Sequence, residues 1–225
     1  MRTPCSTASS ASTRARPDPP SGDTQVSGDT QAACRLYLVS PPALEPAGFA
    51  DALAAALDAG DVACFLLALE GADDAMWRSA CERLVPVARS RDVAFLLKDR
   101  LALVRETGAD GSHIDGDPGD AREQLPEDAI LGAGCGLSRH AAMIAGEAGA
   151  DYVAFGPWGT ECADHLTWWQ AVMEPPCVAW PAPAADAAGA GADFVVPDTL
   201  FWPDPVAVQA QVREAAAAVA KAGTR

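Results

Sequence analysis

The chain has 225 residues, with 16 Lys+Arg against 31 Asp+Glu and a formal charge of −15. That length predicts one main domain with a sizeable core, and an apolar content of 49% excludes a chain that is disordered throughout. So acidic a balance argues against a nucleic-acid partner, which needs clustered Lys and Arg, and no apolar run approaches the roughly 18 residues of a membrane span.

Residues 1–33 contain no Leu, Ile, Phe, Tyr or Trp, and Ser21-Gly22-Asp23-Thr24-Gln25 recurs as Ser27-Gly28-Asp29-Thr30-Gln31. Such a stretch has little to bury and reads as a flexible tail. Arg2, Arg14 and Arg16 precede the first acid at Asp18, which also suits a transit segment. The tail is neutral, so residues 34–225 carry the whole negative charge.

In that body one phrase returns at regular spacing: Gly108-Ala109-Asp110, Gly149-Ala150-Asp151 and Gly191-Ala192-Asp193. Ala59-Gly60-Asp61 is a looser copy. Each follows an Ala-rich or amphipathic stretch and precedes an apolar run, as where a glycine ends a helix in the left-handed conformation and a strand begins. Short apolar runs without strict alternation predict buried parallel strands at 36–39, 62–67, 93–97, 111–114, 129–132, 151–155, 177–180 and 194–196. Helices are expected over 47–59, 74–90, 99–107, 119–124, 138–148, 163–173, 184–190 and 205–222, with Ser138 as an N-cap. Eight alternating pairs predict a compact α/β fold, a (β/α)8 TIM barrel. A doubly wound sheet is the alternative, but Ser40-Pro41-Pro42 stands where its glycine-rich turn would be.

The seven cysteines are odd in number, scattered, and never spaced Cys-x-x-Cys. They read as reduced thiols, several of them small core residues, in a cytoplasmic protein.

A barrel carries its chemistry on the loops after the strands. The third strand ends Lys98-Asp99-Arg100, and Lys98 is one of only two lysines. It could hold a phosphate, form an ion pair, or belong to an ordinary charged helix start. Asp99, with Asp115 or Asp117 beyond the fourth strand, could share a hard cation such as Mg²⁺, or simply favour a helix N-terminus. His113 points into the mouth or is a satisfied core histidine. Trp158, Trp168, Trp169, Trp180 and Trp202 gather near later strand ends, as an aromatic wall or as packing. No nucleophile elbow, P-loop or zinc spacing is present.

At these residues the sequence resembles the thiamine phosphate synthase/TenI family. Leu36-Tyr37-Leu38-Val39 is similar to its first strand, and Lys98-Asp99-Arg100 to its Asn-Asp-Arg. Gly108 to Ile114 resembles its Gly-Ala-Asp-Gly-Val-His-Leu; Gly149 to Val153 and then Gly156-Pro157 and Thr160 resemble its Gly-Ala-Asp-Tyr-Val and Gly-Pro…Thr. The resemblance implies a small-molecule reaction joining hydroxymethylpyrimidine pyrophosphate to thiazole phosphate, with Mg²⁺ held by Asp99 and Asp117. Thr160 and Lys98, the latter a new cation in place of the family's Asn, are the candidate catalytic residues, and His113, Gly134, Gly156, Pro157 and Trp158 the candidate substrate contacts.

The chain also departs from the family. The pyrophosphate-binding Gln-x-Arg-x-Lys aligns with Phe65, Leu67 and Leu69. The lysine after Gly-Pro…Thr falls on Ala163, and the serine after strand five on Gly134. The Gly-Gly after strand seven is Pro181-Ala182, and Asp198 stands near a family serine. Proline offers no N–H. These losses favour the alternative of a repurposed barrel that binds a less anionic ligand or a partner. A TenI-like thiazole tautomerase would need a histidine near Gly136 or Leu137, where the nearest is His140.

Overall fold

The computed structural model describes residues 33–116, 118–200, 202 and 204–223. Apart from Ala33, the expected tail lies outside the described residues, as do Cys5 and Asp117. The strands are β1 (Arg35–Val39), β2 (Val62–Leu67), β3 (Ala94–Lys98), β4 (Gly111–Asp115), β5 (Ile130–Gly136), β6 (Tyr152–Phe155), β7 (Cys177–Ala182) and β8 (Phe194–Pro197). All neighbours pair in parallel, and β8 returns to β1 to close the barrel. The helices that alternate with them are α1 (Pro46–Leu57), α2 (Asp74–Arg89), α3 (Leu101–Thr107), α4 (Ala121–Gln124), α5 (Arg139–Glu147), α6 (Thr160–Val172), α7 (Ala184–Gly189) and α8 (Pro205–Ala222). The expected (β/α)8 TIM barrel is thus the observed fold. No helix among the described residues is long and apolar enough to cross a membrane.

Strand parity divides the core into two layers. Tyr37, Cys64, Leu66, Leu96, Tyr152, Ala154, Val178 and Val196 fill the barrel interior. Phe65, Leu67, Phe95, Leu97, Val153 and Phe155 belong to the outer layer, beneath the helices. There Phe65 packs against Phe49, Phe95 and Trp202. Burying each such side chain contributes roughly 1.5–3 kcal/mol.

The repeated Gly-Ala-Asp phrase is a covalently local device with a long-range partner. Gly108, Gly149 and Gly191 all have positive φ (71°, 82° and 92°), which ends the helix and turns the chain. The following alanine is buried in each copy. The aspartate then makes a two-bond clasp on the preceding strand. The Asp110 N–H donates to the Phe95 carbonyl (2.8 Å), while Asp110 Oδ2 accepts from the Phe95 N–H (2.7 Å). Asp151 repeats this on Leu131 and Asp193 on Cys177. The looser copy differs: Asp61 pairs instead with the exposed Arg35 side chain.

Two strands run on by two residues or more past their expected ends. The glycine-rich run Gly132-Ala133-Gly134-Cys135-Gly136 continues β5 rather than forming a loop. Its inward positions must lack a side chain: a Cβ on Gly132 would stand 2.0 Å from the Tyr152 ring. β7 likewise continues through Pro181 to Ala182, which pairs with Pro197. Ser138 caps α5 as expected, accepting from the Ala141 N–H.

Cys64, Cys81, Cys135, Cys162 and Cys177 are buried and free, and Cys34 is half-buried and free. Burial pushes the thiols of Cys81, Cys135 and Cys162 up to about 11, and that of Cys177 to about 12. They are packing residues in the protonated form.

Candidate active site

The C-terminal ends of β3 and β4 lie side by side, with Lys98 opposite His113. Lys98 Nζ sits 2.8 Å from Asp115 Oδ2. His113 Nε2 approaches Asp115 Oδ1 to 3.6 Å, too far for a full hydrogen bond but close enough for charge to be felt. The His113 imidazole and then the Lys98 ammonium hold the Asp115 carboxyl well below its ordinary range, against an opposing desolvation. Asp99 adopts a left-handed conformation (φ 53°), which is uncommon for a residue with a side chain. Its N–H donates to the His113 carbonyl (2.9 Å), and its Oδ1 accepts from the Asp115 N–H (3.2 Å). Its second oxygen has no partner among the described residues. Lys98 is therefore an ion-pair residue in this structure, and Asp99 and Asp115 are neighbours at one rim.

Below that rim the site is aromatic. His113 is buried, with its Nδ1 3.0 Å from the Tyr152 hydroxyl, which lies 2.8 Å from the Tyr37 hydroxyl. Burial raises both phenol pKa values well above the ordinary value, so both groups remain neutral donors. The row is satisfied when Tyr37 donates to Tyr152 and Tyr152 donates to Nδ1, which leaves the His113 Nε2–H facing Asp115. Trp180 stacks on His113, with centroids 5.0 Å apart and an angle of 15° between the planes. Both readings of His113 thus hold together: it is a satisfied buried histidine and it faces the mouth.

A cavity of about 410 Å³ opens beside these rings, lined by His113, Asp115, Gly134, Gly136, Ala154, Gly156, Pro157, Trp180 and Pro181. Gly134 keeps it open, because a Cβ there would stand 2.7 Å from Asp115 Oδ1 and 3.2 Å from His113 Nε2. Of the expected residues, His113, Gly134, Gly156 and Pro157 meet around this cavity. Trp158 packs against the outer core, and Thr160 is the exposed first residue of α6. Asp117 lies outside the described residues. His140 is exposed on α5 and is not part of the lining. Of the tryptophans, Trp180 walls the cavity, whereas Trp169 and Trp202 are buried in the outer core.

Strand parity corrects the reading of strand two. Phe65 and Leu67 face the helices, so they do not occupy the positions of inward anion ligands. The inward residues are Cys64 and Leu66, with Ala68 packed against the same layer just beyond the strand. A one-residue shift exchanges the faces of a strand, and the corrected positions again lack side-chain N–H donors. Trp180 fulfils the aromatic-wall alternative, whereas Tyr37 and Tyr152 belong to this site without having been expected there. Their alternation on the inward side was the available signal.

The family model for thiamine monophosphate synthase matches residues 36–196. A thiamine-phosphate synthase of Rhodospirillum centenum is 48% identical over 197 residues, covering 80% of this chain and 95% of that protein. One of Erythrobacter litoralis is 38% identical over 212 residues, covering 84% and 99%. Among solved structures, a thiamine phosphate pyrophosphorylase from Pyrococcus furiosus superimposes with a TM-score of 0.71 at 20% identity, covering 86% and 99%.

Proposed function

Since the chain belongs to the thiamine monophosphate synthase family, we propose that it joins hydroxymethylpyrimidine pyrophosphate to thiazole phosphate and releases pyrophosphate. The bond broken is the one between the pyrimidine methylene and the diphosphate oxygen. The bond formed joins that methylene to the thiazole nitrogen. The observation that carries this reading is the meeting of Lys98, Asp99, His113 and Asp115 above an aromatic cavity, at the strand ends where barrel enzymes work.

The rim suits a hard cation. Asp99 and an aspartate of the 115–117 segment supply carboxylate oxygens, and Asp99 Oδ2 is uncommitted among the described residues. Mg²⁺ is commonly held by one or two carboxylates together with substrate phosphate oxygens. When bound, the ion would neutralise charge on the departing diphosphate. The chain's own groups do the rest. Trp180, stacked on the buried His113 that Tyr152 fixes, presents a flat wall to the pyrimidine ring. Gly134, Gly156 and Pro157 leave room for that ring. Lys98 holds Asp115 in place and adds positive charge beside the leaving group. Thr160, at the start of α6, offers a hydroxyl near the mouth. The domain that works is the barrel from residue 34 onward, acting in the cytoplasm with its thiols reduced.

A second reading is a barrel of this family that takes a less anionic ligand. It is favoured by Pro181, which lines the cavity without an N–H, and by exposed Asp198 beside it, whose N–H bonds the Ala182 carbonyl. Purified protein incubated with both substrates and Mg²⁺ separates the two. The synthase reading expects thiamine phosphate and pyrophosphate in equal amounts. No product at high enzyme concentration would leave the second reading.

A further inference from the structure

The inward face of β2 presents Cys64 and Leu66, followed by Ala68, so a diphosphate at this corner of the mouth finds no cation there. Lys98 is already engaged with Asp115 at 2.8 Å. Beside Asp99 stands one more cation, Arg100, and its surroundings are unusual.

Arg100 is the N-cap of α3, with no side-chain cap hydrogen bond. A cation is disfavoured there, because the helix N-terminus carries partial positive charge and prefers Ser, Thr, Asp or Asn. The side chain is half-buried, and its guanidinium lies over the Trp77 ring, 5.2 Å from the centroid. Its Nε is buried with no acceptor. Nη1 makes one long bond, 3.5 Å to the Asp99 carbonyl. Among the described residues no carboxylate pairs with it. Arg35, Arg78, Arg91 and Arg122 each have a carboxylate within 3.1 Å, while Arg83, Arg89, Arg105, Arg139 and Arg213 share with Arg100 the lack of one among the described residues; among these, Arg100 stands apart by its buried, unbonded Nε. Arg100 is therefore held in position by an aromatic face while its N–H groups remain largely uncommitted. A buried guanidinium N–H without an acceptor calls for a partner, and a stacked guanidinium is well suited to forked recognition of phosphate oxygens.

We infer that Arg100 binds the diphosphate of the substrate, in place of the donors that β2 lacks. The inference rests on the synthase reading for the identity of its anion, and its test needs no turnover. Inorganic pyrophosphate with Mg²⁺ is titrated calorimetrically into the intact protein and into Arg100→Ala, Arg100→Lys, Arg139→Ala and Arg105→Ala. Arg139 also lies over a tryptophan, Trp168, but at the start of α5. Arg105 is exposed in the last turn of α3. Arg100→Ala is expected to weaken binding at least tenfold. Arg100→Lys should recover part of the loss and also covers the case in which the alanine variant does not fold. Arg139→Ala and Arg105→Ala should bind as the unchanged protein does. The inference is overturned if the unchanged protein does not bind pyrophosphate. It is equally overturned if Arg100→Ala and Arg100→Lys bind within twofold of it, or if the loss follows Arg139 instead. Binding through Arg100 without any thiamine phosphate formation would count against the synthase reading alone.

Discussion

The Tyr152 hydroxyl lies 3.0 Å from His113 Nδ1, so a residue of the barrel interior fixes a ring in the mouth. The same hydroxyl meets Tyr37 from across the barrel at 2.8 Å. Removing it in Tyr152→Phe leaves two buried polar groups without this partner. An orphaned buried group costs about 1–3 kcal/mol. Urea unfolding should show a loss of that size, and the variant should turn over more slowly because His113 is no longer held. A variant as stable and as active as the parent would show that the row of hydroxyls does nothing.

Gly132 and Gly134 both face inward, yet their alanine variants should behave differently. At Gly132 the new methyl meets the Tyr152 ring at 2.0 Å, inside a packed core. Overpacking of this kind costs about 1–3 kcal/mol or more, visible as a lower Tm. At Gly134 the methyl meets the end of the Asp115 side chain, which is 60% exposed and can turn away from Lys98, and comes within 3.2 Å of the buried His113 Nε2. Gly134→Ala should lose less Tm than Gly132→Ala and should lose activity. The reverse pattern would contradict the assignment of Gly134 to the site.

The three aspartate clasps predict a stability series. A hydrogen bond to a charged group contributes about 1.5–3 kcal/mol, so Asp110→Ala, Asp151→Ala and Asp193→Ala should each lose about that much in denaturant unfolding. Asp61→Ala removes only a surface pair with Arg35 and should lose about 0–1 kcal/mol. Equal losses at all four positions would refute the clasp.

The pairing of Asp115 sets a pH dependence. Its carboxyl is held below the ordinary value of 3.8 by His113 and then Lys98. A carboxyl lowered in the folded state adds stability that is complete above its unfolded pKa and is lost as pH falls through the folded one. In metal-free protein, carboxyl NMR should find Asp115 titrating below 3.8. Lys98→Met should move it upward, and the stability gap between the two proteins should close as pH falls below 3.8. An unshifted Asp115 in both proteins would remove the ion pair from the account.

Much of the fold was legible because its signals are local. The Gly-Ala-Asp phrase marked three helix-to-strand joints, and short apolar runs marked the buried strands. The aspartate's bond to the preceding strand was not legible, since a capping role and a clasp need the same residue. The run from Gly132 to Gly136 suggested a loop because glycine is weak in strands; only the ring of Tyr152 explains why a strand needs it there. The rim residues Lys98, Asp99 and His113 could be found at strand ends. The Tyr37–Tyr152 contact could not, because 115 residues separate its partners. Strand two shows the cost of a one-residue shift: Phe65 and Leu67 read as site positions until parity turned them outward.

The most direct measurement is thiamine phosphate formation by the unchanged protein and by Asp99→Ala, at saturating substrates and Mg²⁺ and with matched Tm. A rim carboxylate that holds the ion against the leaving diphosphate predicts product from the first. From the second it predicts a rate lower by on the order of 100-fold, equivalent to about 2.7 kcal/mol. Product at equal rates from both proteins, or from neither, would contradict it.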